Sequence, residues 1–271
     1  MTTPANAAEP GSEAGGTPAI SVRDLLKVYG TRAGPVKALE DVAFAVRAEE
    51  FVAVVGPSGC GKTTVLKILA GLVPPTSGAV EVFGAPVRGP VAGVGMVFQA
   101  PVLLRWRTVL DNVLLPIEIL HRDRRAHVER AQHLLALAGI AEFAGRYPRE
   151  LSGGMQQRVA ICRALVHDPR LLLMDEPFGA LDALTRDQMN LELLRIWSES
   201  RKTSVLITHS IPEAVFLADR VIVMTPRPGR VAEVVAINLP RPRAAATRLD
   251  PRFTALVERI GRLLGIDYTG D

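Results

Sequence analysis

Gly56-Pro57-Ser58-Gly59-Cys60-Gly61-Lys62-Thr63-Thr64 is the stretch that decides how this chain folds. Gly56, Gly61, Lys62 and Thr63 fit the spacing G-x-x-x-x-G-K-[ST]. At average residue usage those fixed positions match by chance in about one chain in a hundred of this length. The flanks agree with the match. Residues 50–55 form a short apolar run, the pattern of a strand buried on both faces, and residues 62–72 carry apolar side chains at helical spacing. Glycines let a backbone wrap closely round an anion with its N–H groups turned inward. The helix that follows presents its N-terminus and dipole to the same charge. In such a loop Lys62 supplies a point charge to the β and γ phosphates and Thr63 a hydroxyl for Mg²⁺, so ATP and Mg²⁺ are the expected ligands.

A second acidic element lies downstream. Leu171-Leu-Leu-Met-Asp-Glu-Pro177 is an apolar run ending in two carboxylates. Charges at the end of a buried strand are costly unless they have a partner. Asp175 is placed to help hold Mg²⁺. Glu176, one residue further, is placed to polarise the water that attacks the γ-phosphate. Leu151-Ser152-Gly153-Gly154-Met155-Gln156-Gln157-Arg158 puts two glycines after a serine, directly before a helix. That is a second anion-binding helix start. One nucleotide needs only one phosphate loop, so a second suggests a composite site in which Ser152-Gly153-Gly154 caps nucleotide held by a partner copy; taken alone, Ser-Gly-Gly is more simply an ordinary helix cap.

Leu151 to Arg158 resembles the signature motif of the ABC-type ATPases, and the order phosphate loop, signature, acidic strand matches that family over residues 20–224. The resemblance implies a P-loop NTPase core of α/β class with an antiparallel β subdomain and an inserted α-helical subdomain. It also implies roles for single residues. Tyr29 is similar to the aromatic that stacks on adenine. Gln99 is similar to the Q-loop glutamine that touches Mg²⁺ and water. Leu151, Ser152, Gly153, Gly154 and Gln156 fall in the signature, facing the partner's ATP. Asp182 is similar to the D-loop aspartate and is also placed to cap a helix. His209 is similar to the switch histidine that senses the γ-phosphate. The mechanism implied is head-to-tail dimerisation of two copies around two ATP molecules, with hydrolysis removing the γ-phosphate that bridges them.

Composition agrees with a globular protein. Of 271 residues 48% are hydrophobic and 22% charged, and 32 basic against 28 acidic residues leave +4. That excludes wholesale disorder. The mild, scattered basic charge gives no dense patch with interleaved aromatics, so no nucleic-acid partner is expected. Cys60 and Cys162 have neither a disulfide framework nor metal-ligand spacing, which fits a reducing compartment. No apolar run is long enough for a membrane span. Residues 1–18 lack a basic n-region and an apolar h-region, and read as a disordered leader.

Strand patterns fall at 19–29, 38–46, 50–55, 93–98, 171–174, 204–208 and 220–224, with a hairpin-like stretch at 78–84. Helical patterns alternate with them, which predicts a mostly parallel sheet covered by helices. Residues 19–238 are expected to form the ATPase domain, with a helical subdomain at about 100–165. Within that segment Pro116, Gly139 and Gly145 are expected to break the helices. Arg122, Arg124, Arg125 and Arg130 read as a solvated helix face. Residues 239–271 read as an extension ending in a helix near 253–264.

The motifs occur once, without a coiled-coil insertion, a second ATPase half or a membrane span. In this family that is the pattern of bacterial importers whose membrane permease is a separate chain, and it implies a peripheral position on the cytoplasmic face of the cell membrane. An extracytoplasmic solute-binding protein would then be an indirect partner. A soluble ABC ATPase uncoupled from transport is the alternative. Residues 99–113 resemble the Q-loop segment of importers for nitrate, sulfonate and taurine, as do residues 83–90, 227–230 and 239–243. Arg105 departs from that subfamily, which often has proline before the tryptophan. Trp106 between Arg105 and Arg107 reads either as a docking anchor for the permease or as a side chain packed under the helical subdomain.

Overall fold

The computed structural model describes residues 17–32, 34–179, 181–199 and 201–266. The expected leader at 1–18 therefore lies almost wholly outside the described residues, as does the end of the extension at 239–271.

Phe51–Val55 (β3) is buried at every position, as its apolar run requires. Successive side chains point to opposite faces. Phe51, Ala53 and Val55 enter one core and Val52 and Val54 the other. β3 lies inside a sheet with Val94–Val97 (β6), Leu171–Asp175 (β7), Thr203–Ile207 (β8), Arg220–Met224 (β9) and Val231–Ala236 (β10). The strand order is β10-β9-β3-β8-β7-β6. Every pair is parallel except β10 with β9. The neighbours β3, β8, β7 and β6 thus end at one edge, and a ligand crevice in an open parallel sheet opens beyond the carboxyl ends of its strands.

A second, antiparallel sheet covers one face. It consists of Ile20–Thr31 (β1), Gly34–Val46 (β2), Ser77–Val82 (β4) and Ala85–Pro86 (β5), in the order β2-β1-β4-β5. Val42, Phe44 and Val46 are buried while Ala43 and Ala45 are exposed, the alternation of a half-buried strand. Helices Lys62–Leu69 (α1), Ala183–Glu199 (α5), Ile211–Leu217 (α6) and Pro251–Leu263 (α7) follow the strands.

Between β6 and β7 the chain forms Val109–Ile119 (α2), Arg125–Leu137 (α3) and Gly153–Leu165 (α4). Gly139, at φ 66°, stops α3 where a side chain would be strained. Pro116 does not break its helix as expected. α2 runs through it, because Val113, Leu114 and Ile117 are fully buried around it and packing overrides the local penalty. Arg125 is exposed as expected, but the other three arginines are engaged. Arg124 bridges Asp111 and Glu118 at 2.5 and 2.6 Å. Arg122 and Arg130 donate to carbonyls at the end of α4, His167 O at 3.0 Å and Val166 O at 3.1 Å.

The loop ahead of α2 is fixed by one polar side chain. Asn112 is fully buried. Its Oδ1 accepts from Leu104 N at 2.7 Å, and its Nδ2 stands 2.9–3.1 Å from the carbonyls of Leu104, Arg107 and Thr108. Arg163 clamps the start of the same loop through Pro101 O and Val102 O at 2.7 and 2.8 Å. Asn112→Ala leaves a buried N–H unpaired and is expected to cost roughly 2–4 kcal/mol. Urea denaturation checks this, and a loss below about 0.5 kcal/mol would contradict the bracing role.

Candidate active site

The glycine-rich loop leaves β3 at Val55 and enters α1 at Lys62. Gly61 occupies the position before α1 at φ 105°, and a Cβ there would sit 2.6 Å from Leu39 Cδ2 and 2.9 Å from Ala38 O. Lys62 is buried, and its Nζ donates across the loop to Gly56 O at 2.8 Å and Pro57 O at 3.0 Å. Cys60 is buried, and Ser58 and Gly59 face solvent. Tyr29 donates to Thr64 Oγ1 at 3.4 Å, and Lys27 lies 4.9 Å over its ring. Tyr29 sits inside β1 rather than at its end, because the strand continues to Thr31 through pairing with β2.

β7 brings the acidic pair alongside. Thr63 Oγ1 donates to Asp175 Oδ1 at 3.1 Å, joining the first turn of α1 to the end of β7. Burial raises the Asp175 carboxyl above its ordinary range, opposed by the Thr63 bond and reinforced by the neighbouring Glu176 charge. Two hard oxygens on adjacent elements are the donor set a magnesium ion takes from protein, with phosphate and water completing its shell. The residues therefore fit that ion. Among the described residues no group of three or more His, Cys, Asp or Glu could hold a metal without phosphate or water.

Glu176 is a non-glycine residue at φ 45°, a backbone conformation costing about 1–2 kcal/mol. Its N–H donates to Ile207 O at 2.9 Å and its carbonyl accepts from Gly179 N at 3.1 Å, which holds the turn. Its Oε2 lies 3.3 Å from His209 Nδ1. A Cβ on Gly179 would stand 3.5 Å from both Glu176 Oε2 and His209 Cε1, so this glycine walls the pair. The turn carrying His209 is braced from below. Thr208 Oγ1 donates to the buried Glu213 and accepts from Ser210 N at 3.0 Å. Burial raises the Glu213 carboxyl.

Gln99 is exposed two residues beyond Val97, which pairs with Met174, so it stands at the same edge as Asp175. Gln157 Nε2 donates to Phe98 O at 3.3 Å and ties this loop to α4. The carboxyl edge thus receives the loop from β3, His209 from β8, Asp175 and Glu176 from β7, and Gln99 from β6.

The second glycine pair lies elsewhere. Ser152 caps α4, its Oγ accepting from Met155 N at 3.3 Å. Leu151 is buried, and Gln156 turns back on its own loop to Pro148 O and Leu151 O at 2.9 and 3.2 Å. A Cβ at Gly153 would meet nothing within 4 Å, so this helix start opens outward. Gly154 faces Thr185 and Leu181 instead. Among the described residues no hydrogen bond joins Ser152 or Gly153 to the loop at 56–64. Asp182 caps α5, accepting from Thr185 N at 3.0 Å and Thr185 Oγ1 at 2.7 Å, and these bonds hold its carboxyl below the usual range.

Sequence reasoning did not place the turn at 225–230 against the phosphate loop. Arg227 Nε donates to Gly59 O at 3.0 Å. A Cβ on Gly229 would lie 2.0 Å from Cys60 O, so only glycine lets this turn press against the loop. Pro and Gly marked a turn here, but its partner is far away in sequence. Trp106 is 74% exposed, which excludes the packed alternative.

Known proteins carry the same arrangement. Residues 39–179 match the ABC transporter family. The chain is 49% identical over 224 residues to an uncharacterized ABC transporter ATP-binding protein, MJ0412, of Methanocaldococcus jannaschii, covering 83% of this chain and 84% of that protein. It is 47% identical over 244 residues to the taurine import ATP-binding protein TauB of Burkholderia thailandensis, covering 87% and 94%. The dimeric structure of MJ0796, a bacterial ABC transporter cassette, superposes with a TM-score of 0.72 at 33% identity, covering 81% of this chain and 99% of that one. The same cassette is also known in a post-hydrolysis state bound to ADP and Pi. With its phosphate loop and acidic strand at one sheet edge and these relatives along most of its length, the chain belongs to the ABC transporter family and is an ATP-hydrolysing cassette.

Proposed function

We propose that two copies of this chain close head-to-tail around two ATP molecules and drive a membrane permease that imports a small solute. The observation that carries the reading is the split site. Lys62, Thr63, Asp175, Glu176 and His209 converge at one sheet edge, while the Ser152-Gly153 helix start faces outward without contact to that loop. A partner's phosphate loop is the complementary surface. The dimeric state of the MJ0796 cassette supports this arrangement.

In the closed pair the backbone N–H groups of residues 56–64 cradle the phosphates, and Lys62 turns its ammonium to the β and γ oxygens. Tyr29 stacks on the adenine. Thr63 and Asp175 would hold Mg²⁺, which supplies charge neutralisation at the phosphates when bound, with Gln99 beside it. Glu176 orients the attacking water and takes its proton, and His209 holds the Glu176 carboxylate and contacts the γ-phosphate. Ser152, Gly153 and Gly154 of one copy add donors to the γ-phosphate of the other. ATP favours the closed pair because only there does it meet both half-sites, so hydrolysis removes the differential affinity that keeps the pair shut.

The TauB relative, named a taurine import ATP-binding protein, supports an importer. In this reading the cassette works at the cytoplasmic face of the membrane, and its cargo is a sulfonate, taurine or nitrate-like anion delivered by an extracytoplasmic solute-binding protein. No described helix is long and apolar enough to cross a membrane. In this reading the permease is a separate chain. Trp106, presented on the loop braced by Asn112 and Arg163, is the docking anchor.

Glu176→Gln keeps the turn and the contact to His209 but removes the base. It is expected to bind ATP with near-normal affinity while turnover falls about 100-fold or more. Single-turnover hydrolysis beside equilibrium ATP binding checks this, and retained turnover would remove Glu176 from the chemistry. Trp106→Ala, at an exposed site, is expected to change stability by less than about 0.5 kcal/mol and to spare basal ATPase. Transport in proteoliposomes with the permease should be lost. Equal loss of both activities would contradict docking.

A further inference from the structure

We infer that the cleft between the C-terminal half of α5 and residues 241–243 is a binding site for a small multivalent oxyanion, held by Arg195, Arg201, Arg241 and Arg243 beside the indole of Trp197. The cleft has a volume of about 410 Å³ and lies apart from the nucleotide edge. Those four arginines are among its lining residues, and no Asp or Glu is. Trp197 is buried at its wall, fixed by Nε1 donating to Lys202 O at 2.8 Å and by edge contact with Phe51. Arg241 and Arg201 stand 4.4 and 5.3 Å from the Trp197 ring centre.

The charges around the cleft do not balance. Asp219 pairs with Arg241 at 2.8 Å. Glu192 is committed to Arg158 at 3.0 Å, though its field also reaches Arg195. Glu199 reaches His133 instead. Among the described residues Arg195, Arg201 and Arg243 have no carboxylate partner within salt-bridge distance. Arg243 is the most telling. It is 7% exposed, and its Nη1 donates to Val215 O, Phe216 O and Ala218 O at the end of α6. Its Nε is buried without any partner. Burial, with Arg241 nearby, lowers the Arg243 guanidinium to about 10. A set of like charges at one cleft is unfavourable, and an oxyanion relieves it. Guanidinium forks match oxyanion geometry.

The position gives such a ligand leverage. α5 starts at the Asp182 cap, and α6, whose end Arg243 grips, starts just after His209. An oxyanion in the cleft would brace the far ends of the two helices whose near ends border the nucleotide site.

The test uses the full chain with its phosphate loop saturated by a non-hydrolysable ATP analogue and Mg²⁺, so that added anions cannot report from there. Trp106→Phe leaves Trp197 as the single tryptophan of the two present. Inorganic sulfate and pyrophosphate are titrated by calorimetry and by Trp197 emission, against sodium chloride at equal ionic strength. The expected result is saturable binding above the chloride control with a change in Trp197 emission. Arg195→Glu with Arg201→Glu, both exposed, should weaken it roughly tenfold or more while nucleotide binding reports an intact fold. A response equal to chloride, or binding that survives the charge reversals, would overturn the site.

Discussion

A buried ammonium group organises the nucleotide edge of this protein. Lys62 is almost inaccessible, and it closes the glycine loop by donating to Gly56 O and Pro57 O. A charge in that position is unfavourable unless its donors are satisfied and its field is used. The loop curvature that satisfies it requires the left-handed turn at Gly61, and that turn requires α1 to begin at once. α1 then places Thr63 against Asp175. Each step constrains the next, and together they bring the loop, Thr63 and Asp175 to one edge of the sheet.

The loop does not hold its shape alone. Gly229 presses against Cys60 O, Arg227 grips Gly59 O, and Gly61 packs on Ala38 and Leu39 of β2. The antiparallel sheet and the turn after β9 are therefore part of the nucleotide site even where they carry no chemistry. On the other side, Gln157 and Arg163 of α4 hold the chain at 98–102. The helix that begins at Ser152 is thus tied to the loop that carries Gln99 and leads to Trp106. The segment between Gln99 and the exposed Trp106 is thus held along α4.

The strands that carry the site were legible because parallel strands buried on both faces read as unbroken apolar runs. Residues 51–55, 171–174 and 221–224 need no partner information. The loop and the Asp175-Glu176 pair were legible because their spacing encodes local backbone geometry, and the Ser152 helix start because residues 151–158 resemble the family signature. What escaped depends on distant partners. β1 and β2 run past their expected ends because each supplies the other's hydrogen bonds. Pro116 survives in α2 because its neighbours are buried. Arg122, Arg124 and Arg130 read as solvated, yet fixed carbonyls and carboxylates claim them. Gly229 and Arg227 meet the loop across most of the chain length, which no local pattern records.

The split of one ATP site between two copies is tested most directly by mixing two inactive variants. Lys62→Ala removes the phosphate-loop cation but keeps the outward helix start. Gly153→Asp adds a charge where a Cβ meets open space, so the chain still folds, and it spares the loop. Paired together, one of the two sites regains an intact loop and an intact helix start. The mixture should hydrolyse ATP well above the sum of the separate variants. Hydrolysis no greater than that sum would contradict a site shared between two copies.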